Sequence, residues 1–558
     1  MDDRVATAAL AGDPAALADL VGQLRAQMAQ LREEIAALKQ DNVELRQQAH
    51  YWQSQHAQAR KQINKLQQRL EKLQAENRNL RQQAFGRRGE TSTPSNDETW
   101  LAALRDDPPG SRQRGQQAGR PGPARRDYQH LPARIEMVEL PPAQRCCPRC
   151  GQAYVERHDS EDSELIEIEV HAYRRVLRRR RYQPQCRCTG PWRIVTAAAP
   201  PKLLPKGRYG ISVWVEILLG KFASQRPTER LLAQWKLSGL DLAAGTVTGG
   251  LQRLEPLFVP LYEALVARQQ QARYWQADET RWYVFADQEG KVGHRWWLWV
   301  FVSEDCTVFY LDPRRSRRVP QEHLPQRLGQ VDSGVMMVDR FACYKAIAQV
   351  KKGEVVLVYC WAHVRRDFVR LGLGFPELRG WSLDWLRHIR RLYRLYQQRK
   401  QAYAQVSDSP AAADQEVRQH LQSMQQEARM QLAEPSLRRP CRKVLKSLQE
   451  HWEGLTRFAD DPSIPLDNNA CERQLRGPAL GRKNYYGSGA LWSGRLAAML
   501  FSLLGTLERC RINPRQWLTD YLQACAAAGG RPPPNLDPWL PWQYQPTTMP
   551  TAPASNLG

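Results

Sequence analysis

From Leu17 to Leu80 every seventh residue is apolar: Leu17, Leu24, Leu31, Leu38, Leu45, Trp52, Ala59, Leu66, Leu73 and Leu80. A seven-residue repeat held this long constrains the chain to one long helix with a narrow apolar stripe, and it imposes a left-handed supercoil. If these residues are d positions, the a positions are Val21, Met28, Ile35, Asn42, Ala49, His56, Ile63, Leu70 and Asn77. Asn42 and Asn77 favour a parallel dimer in one register, at some cost in stability. The centre, Ala49 to Ala59, is a weaker stretch. A long amphipathic helix packed on its own globular domain is the competing reading. The narrow stripe and its Gln/Arg/Glu flanks favour pairing with a second copy, so residues 10–84 are expected to be a leucine zipper that holds a homodimer.

The 558 residues carry 81 Lys and Arg against 58 Asp and Glu, a formal net charge of +23. A positive field of this size points to a polyanionic partner. An arginine-favouring genome would explain the choice of Arg over Lys, but not the shortage of acids. No apolar run reaches the ~18 residues of a membrane span, and the N-terminus MDDRVATAAL lacks a signal pattern. Five of the twelve cysteines fall within 146–188 and the rest are scattered singly. That pattern suits a reduced, cytoplasmic protein with one cysteine cluster for metal.

The chain divides by composition. Residues 85–128, Pro/Gly/Arg-rich after FGRR, read as a basic flexible linker. Residues 129–200 hold CCPRCG (146–151) and CRC (186–188), with strand-like runs between them at 164–173 and 174–182. Two cysteine knuckles joined by strands fit a structural zinc ribbon with Cys147, Cys150, Cys186 and Cys188 as ligands; the tight second knuckle leaves His171 or Cys146 as substitutes. Residues 207–270 read as helical, with a possible helix-turn-helix at 229–254 in which Gly249 and Gly250 would weaken the second helix.

Residues 271–510 read as three meandering strands, helix, strand, helix, strand, then an all-helical insertion at about 370–462 and a helix near 467–479. RKNYYGS (482–488) reads as a short strand. A long helix is expected near 492–510, and residues 511–558 as a helix followed by an extended or disordered Pro-rich tail from Arg531. The fold class is multi-domain α+β: coiled coil, zinc ribbon, and an RNase H-like core with a helical insertion.

Three carboxylates stand out: Asp278 and Asp339 at the ends of apolar strand-like runs, and Glu472 at the start of an Arg-rich helix. Two Asp and a Glu can hold two divalent cations over a phosphodiester, because Mg²⁺ takes oxygen ligands and keeps waters. Each has a plainer reading: a strand-end turn for Asp278, a helix N-cap for Asp339, a capping box from Asn469 for Glu472. The strand order makes the joint, metal-binding reading the stronger one.

The motifs FGRR (85–88), CPRCG (147–151), ADET (277–280), VDRFACY (338–344), CWAHVRRDF (360–368), DNNACERQLR (467–476), GRKN (481–484) and LPW (540–542) cover nearly the whole chain. In these the chain resembles the insertion sequence sixty-six family of DDE transposases of bacterial mobile elements. It departs from the family pattern at Arg281, at Ala490, Leu491 and Trp492, and in the shortened second knuckle. The resemblance implies DNA cleavage at element ends and strand transfer into target DNA. It implies a catalytic triad of Asp278, Asp339 and Glu472 on Mg²⁺ or Mn²⁺, and small accessory transposition proteins as partners. Cys360 and His363 resemble a Cys-x-x-His pair of such enzymes, with a structural or DNA-positioning role. Arg473, Arg476, Arg482 and Lys483 are candidate DNA contacts. The rival reading is an inactive or repurposed zinc-ribbon and coiled-coil DNA-binding protein; the mark of decay, loss of a triad carboxylate, is absent from the sequence.

Overall fold

The computed structural model describes residues 14–85, 201–287, 291, 293–325, 333–404 and 411–546, with shorter stretches between 133 and 200. The chain falls into two units, residues 1–104 with 368–385, and residues 105–367 with 386–558.

In the first unit, α1 (Pro14–Phe85) is one unbroken helix of 72 residues. Its heptad leucines are exposed among the described residues, Leu38 at 66% and Leu66 at 63%. Cover comes only near its end, where Ala75 is buried and Arg78 Nε donates to the Gly374 carbonyl at 2.7 Å.

The second unit is built on a five-stranded mixed sheet: β1 (Tyr274–Tyr283), β2 (Arg295–Val302), β3 (Thr307–Asp312), β4 (Gly334–Val338) and β5 (Val355–Tyr359). The strand order is β3-β2-β1-β4-β5; β1, β2 and β3 are antiparallel neighbours, while β4 and β5 run parallel to β1. The sequence puts aromatic and β-branched residues at nearly every position of β2, so both its faces are buried, as in a strand covered on two sides.

Before the sheet come α2 (Ile211–Leu218), α3 (Thr228–Leu237) and α4 (Ala244–Gln270). α3 and α4 form the expected helix pair. α4 buries residues along its length, from Val247 to Leu265, against the core. Gly250 does not weaken α4 without purpose: the Trp214 indole lies where its Cβ would stand, 1.8 Å from Trp214 Cη2. Gly249 faces open space.

After β5, α5 (Trp361–Gly374), α6 (Arg379–Ala404), α7 (Ala411–Ala433) and α8 (Arg439–Glu450) form the helical insertion. Its two ends meet, since the Trp361 N–H donates to the Leu466 carbonyl at 3.0 Å. The buried Arg399 pins the far side, with Nε 2.5 Å from Asp414 Oδ1 and Nη1 2.5 Å from the Phe458 carbonyl. Then follow α9 (Asn469–Tyr485), α10 (Leu491–Arg509) and α11 (Pro514–Ala527). α10 packs on β3 and α4, and Ser502 Oγ accepts the Phe309 N–H at 2.8 Å. Asn513 caps α11 by accepting from the Arg515 N–H at 2.9 Å, with Pro514 in the first helical position.

Two expectations change. Of the segment read as a strand at 482–488, residues 482–485 are the last turn of α9, and Ser488 beyond it bridges to Val284. The Pro-rich tail is folded as far as residue 546, because its aromatic side chains find cover. The Trp517 indole N–H donates to the Trp539 carbonyl at 3.1 Å, Tyr544 OH donates to Asp520 Oδ2 at 2.6 Å, and Arg268 lies over the Trp542 ring. Among the described residues no helix is long and apolar enough to cross a membrane.

The Trp214 contact makes a paired prediction. Gly250→Ala overpacks the α2–α4 seam and lowers stability by about 1–3 kcal/mol. Gly249→Ala, one residue away in open helix, raises it by roughly 0.5–1 kcal/mol. Thermal unfolding followed by circular dichroism reads both; equal effects would show that the indole does not hold that place.

Candidate active site

The parallel pairing of β1 with β4 runs from Tyr274↔Val335 to Gln276↔Met337 and stops. The same register, carried two residues further, sets Asp278 opposite Asp339. Asp278 is not at a strand end, as the sequence suggested. β1 continues to Tyr283, held by β2 alone, with Val300 as the partner of Asp278. Side chains alternate along a strand, so Asp278 shares a face with Gln276 and Thr280. α9 covers that face: Gln276 Oε1 accepts the Cys471 N–H at 3.2 Å and Thr280 Oγ1 accepts from Arg482 at 2.9 Å.

Asp339 follows the last residue of β4. Its Oδ1 accepts the Phe341 N–H at 2.9 Å, a turn that leads into the short helix Ala342–Lys345. Glu472 lies in the first turn of α9. The capping box expected for it is not formed: the N-cap is Asn468, which makes no side-chain cap bond. Instead Glu472 Oε1 is buried without a hydrogen bond, 3.7 Å from His363 Nε2 and 3.5 Å from Arg366 Nη2.

Asn468 aims this turn. Its Nδ2 donates to the Ala277 carbonyl of β1 at 2.9 Å, and its N–H donates to Cys360 Sγ at the end of β5 at 3.2 Å. Asp467 accepts the Asn469 N–H at 3.1 Å. The residues DNN thus seat α9, and Glu472 follows one turn later.

Asp278 feels the charges around it. Burial raises the Asp278 carboxyl most, the Glu279 charge adds to this, and Asp339 and Glu472 add further; against the Glu279 N–H bond, which lowers it, the carboxyl is pushed up to about 7. A buried carboxylate with like charges nearby resists ionising, and a hard divalent cation with oxygen ligands relieves it. Carboxylate oxygens are the donors that Mg²⁺ or Mn²⁺ takes, but among the described residues the tight cluster of possible ligand atoms, all within 4.8 Å of one another, is Cys360, His363 and Glu472 and not the three carboxylates.

Comparison with known proteins bears on the same region. The family model described as Transposase IS66 family matches residues 206–496. The chain belongs to the IS66 transposase family. The match spans all three carboxylates. Two relatives in Sinorhizobium fredii, both described as uncharacterized, are y4jD, 28% identical over 80% of this chain and 87% of its own, and y4hP, 25% identical over 76% of this chain and 77% of its own. IS66 membership makes transposition the activity class, and transposases in general break and join phosphodiester bonds.

Several residues of this IS66 chain carry roles that sequence reading missed. Glu279, next to Asp278 but on the opposite face, is buried; Arg315 Nε donates to it at 2.6 Å and Tyr344 OH at 2.8 Å. Strand alternation through ADET would have separated the two carboxylates. Arg366 was passed over inside CWAHVRRDF, where it falls one helical turn after His363 and so on the same side of α5. The predicted pair Cys360 and His363 stands beside Glu472, the three ligand atoms all within 4.8 Å of one another. Arg473, Arg476 and Lys483 are exposed on α9. Arg482 is half-buried and ties α9 to β1 through Thr280 Oγ1 and the Arg281 carbonyl.

Of the zinc candidates, Cys147 and Cys150 are described, whereas Cys146, Cys186 and Cys188 lie outside the described residues. The first knuckle has a metal-ready shape. The Gly151 N–H donates to the Cys147 carbonyl at 2.9 Å, with Gly151 at φ +73°. Backbone N–H groups of Arg149 and Cys150 lower the Cys147 thiol, with the Cys150 side chain adding to them. Such N–H groups favour the thiolate that binds metal. His171 is exposed. Strand pairing among the described residues here is limited to Arg181–Tyr182 with Val195–Thr196, because the RRRR run has no apolar face to bury.

The Asp278 carboxyl at about 7 stands above its ordinary 3.8, so the folded, metal-free protein holds a proton that the unfolded chain has lost. Stability then falls as pH rises through the window from about 4 to 7. Asp278→Asn removes this loss. The metal-free variant is expected to exceed the parent by about 2–4 kcal/mol at pH 8, with the difference gone below pH 4. Urea unfolding at both pH values checks it, and a difference independent of pH would refute the buried-charge account.

Proposed function

We propose that this chain is a DDE transposase with an RNase H-like core, in which Asp278, Asp339 and Glu472 hold two Mg²⁺ or Mn²⁺ ions. What supports the reading is that the β1–β4 register, extended two residues past its last pair, lines up Asp278 with Asp339, and that the charges of Asp339 and Glu472 both act on Asp278. The strand order β3-β2-β1-β4-β5 agrees with it. Bound cations would supply Lewis acidity at the attacking and leaving oxygens. The chain's own part is to fix those cations by carboxylates on three elements, and to admit DNA to them.

Two successive displacements follow. Water attacks the phosphodiester at an element end, the bond to the 3′-oxygen breaks, and a 3′-hydroxyl and a 5′-phosphate result. That 3′-hydroxyl then attacks a target phosphodiester, loses its proton, and forms a new bond as the target 3′-oxygen leaves. Arg473, Arg476 and Lys483 on α9 hold DNA backbone beside the site. The basic linker and the +23 charge add salt-sensitive affinity. The knuckle at Cys147 and Cys150 is half of a structural zinc site completed by Cys186 and Cys188, and with the α3–α4 pair it recognises element ends. α1 pairs with α1 of a second copy, so that two ends are held together. Small accessory proteins encoded by the same element are further partners.

Strand transfer with element-end DNA and Mg²⁺ tests the chemistry. Wild-type protein is expected to join ends to target, and Asp339→Asn to fall to the level of the chelated control while still shifting end DNA in a gel. Equal activity of the two would sink the assignment of these carboxylates.

The dimer is tested separately. Leu31→Glu with Leu38→Glu places charge in the exposed stripe and should turn the dimer into a monomer by sedimentation equilibrium, with the core's unfolding midpoint unchanged. A parent protein that sediments as a monomer would remove the zipper.

A further inference from the structure

Glu472 also belongs to a second set of donors with a different chemistry. Cys360 Sγ, His363 Nε2 or Nδ1, and a Glu472 carboxylate oxygen all lie within 4.8 Å of one another. Sulfur, imidazole nitrogen and one carboxylate suit a borderline-soft cation rather than Mg²⁺. Zinc bonds of ~2.0–2.3 Å in a tetrahedron require ligand atoms about 3.3–3.8 Å apart. His363 Nε2 and Glu472 Oε1 already stand at 3.7 Å. The remaining separations need to close by no more than about 1.5 Å to reach that range.

The surroundings favour occupation. Glu472 Oε1 and His363 Nδ1 are buried without hydrogen-bond partners, a state that a polar group tolerates poorly. Cys360 Sγ accepts the Asn468 N–H at 3.2 Å, and the N–H groups of His363 and Ala362 also point at it. Unlike Cys147 in the knuckle, the Cys360 thiol is pushed up by burial to about 11, which these N–H groups only partly offset. The groups facing the cluster are the Arg366 guanidinium, 3.5 Å from Glu472, and the charges of Asp339 and Arg340. A bound dication would replace Arg366 as the counter-charge of Glu472.

We propose that Cys360, His363 and Glu472 form a Zn²⁺ site with an open fourth position, and that Zn²⁺ bound there competes with the catalytic cations for Glu472. The second half of this proposal rests on Glu472 being a catalytic ligand; the first half does not. A carboxylate oxygen held by zinc on the His363 side is withdrawn from the Asp278–Asp339 pair, so zinc acts as an inhibitor of strand transfer supported by Mg²⁺.

The test uses full-length protein, reloaded after chelation with Co²⁺ without oxygen and, separately, with Zn²⁺. The wild type should bind one more metal per chain than Cys360→Ser or His363→Gln, and Cys360→Ser should lose part of the thiolate-to-cobalt absorption while the share from the knuckle stays. His363 is half-buried on a helix, so His363→Gln serves if Cys360→Ser does not fold. Equal metal counts in wild type and His363→Gln would overturn the site. In Mg²⁺-supported strand transfer, micromolar Zn²⁺ should remove at least about nine-tenths of wild-type activity, a tenfold loss, and a much smaller fraction of whatever activity His363→Gln retains. Equal fractional inhibition would overturn the competition while leaving the metal count to stand. A wild type inactive in Mg²⁺ alone would count against the transposase reading, and the metal count would still decide the zinc site.

Discussion

The core depends on where one parallel ladder stops. β1 is the strand at which the sheet changes sense, antiparallel to β2 on one side and parallel to β4 on the other. Past Gln276 it loses β4 but keeps β2, so it stays extended while its parallel neighbour turns away. The carboxyl ends of parallel strands are the place where open α/β sheets gather ligands. Asp278 lies on β1 beyond its last pair with β4, and Asp339 follows the last residue of β4. Neither position asks for backbone strain, since each carboxylate accepts an N–H from within two residues of itself.

The third carboxylate must return over a long stretch of chain. The cost of closing such a loop grows only slowly with its length, so a helical insertion is tolerable if its ends are fixed. They are fixed by main-chain and amide bonds rather than by apolar contact alone: Trp361 to Leu466, Asn468 to Ala277, and Asn468 to Cys360. Residues 466–468 are therefore a suture across β1, β5 and α5. Glu472 inherits its direction from that suture, because it lies one turn into a helix whose first residues cannot shift without breaking these bonds.

Much of this was legible in the sequence and some was not. The strands showed because Trp296–Val302 and Met336–Val338 are dense in residues that fit a pleated surface. The insertion showed as three charged helical segments between CWAHVRRDF and DNNACER. What stayed hidden depends on register and on face. Asp278 looked like a strand end because ADETRW turns polar, yet β2 supplies a partner for every residue from Gln276 to Tyr283. RKNYYGS looked like a strand from its aromatics, yet Arg482 donates from α9 to β1, which keeps the helix going. The tail looked unstructured from its prolines, whereas Trp539, Trp542 and Tyr544 decide its course. The apolar stripe of α1 is visible in the sequence, and among the described residues it is exposed.

The distribution of counter-charge separates Asp278 and Asp339 from the other acids around them. The chain has cations in excess, and several stand close by. Arg315 is held by Glu279 and stacked on Phe341. Arg340 is held by Asp367 and Ser447. Arg366 comes within ion-pair reach of Glu472 without a hydrogen bond to it. Among the described bonds, those of Asp278 and Asp339 go to nearby backbone N–H groups. A site meant only for stability would have placed Arg315 on Asp278, since a buried carboxylate without a counter-ion is costly. Here the arginine goes to the neighbour on the far face of the same strand, and the burden stays on Asp278, the group pushed up to about 7. That division of charge makes sense if the counter-ion of Asp278 comes from solution.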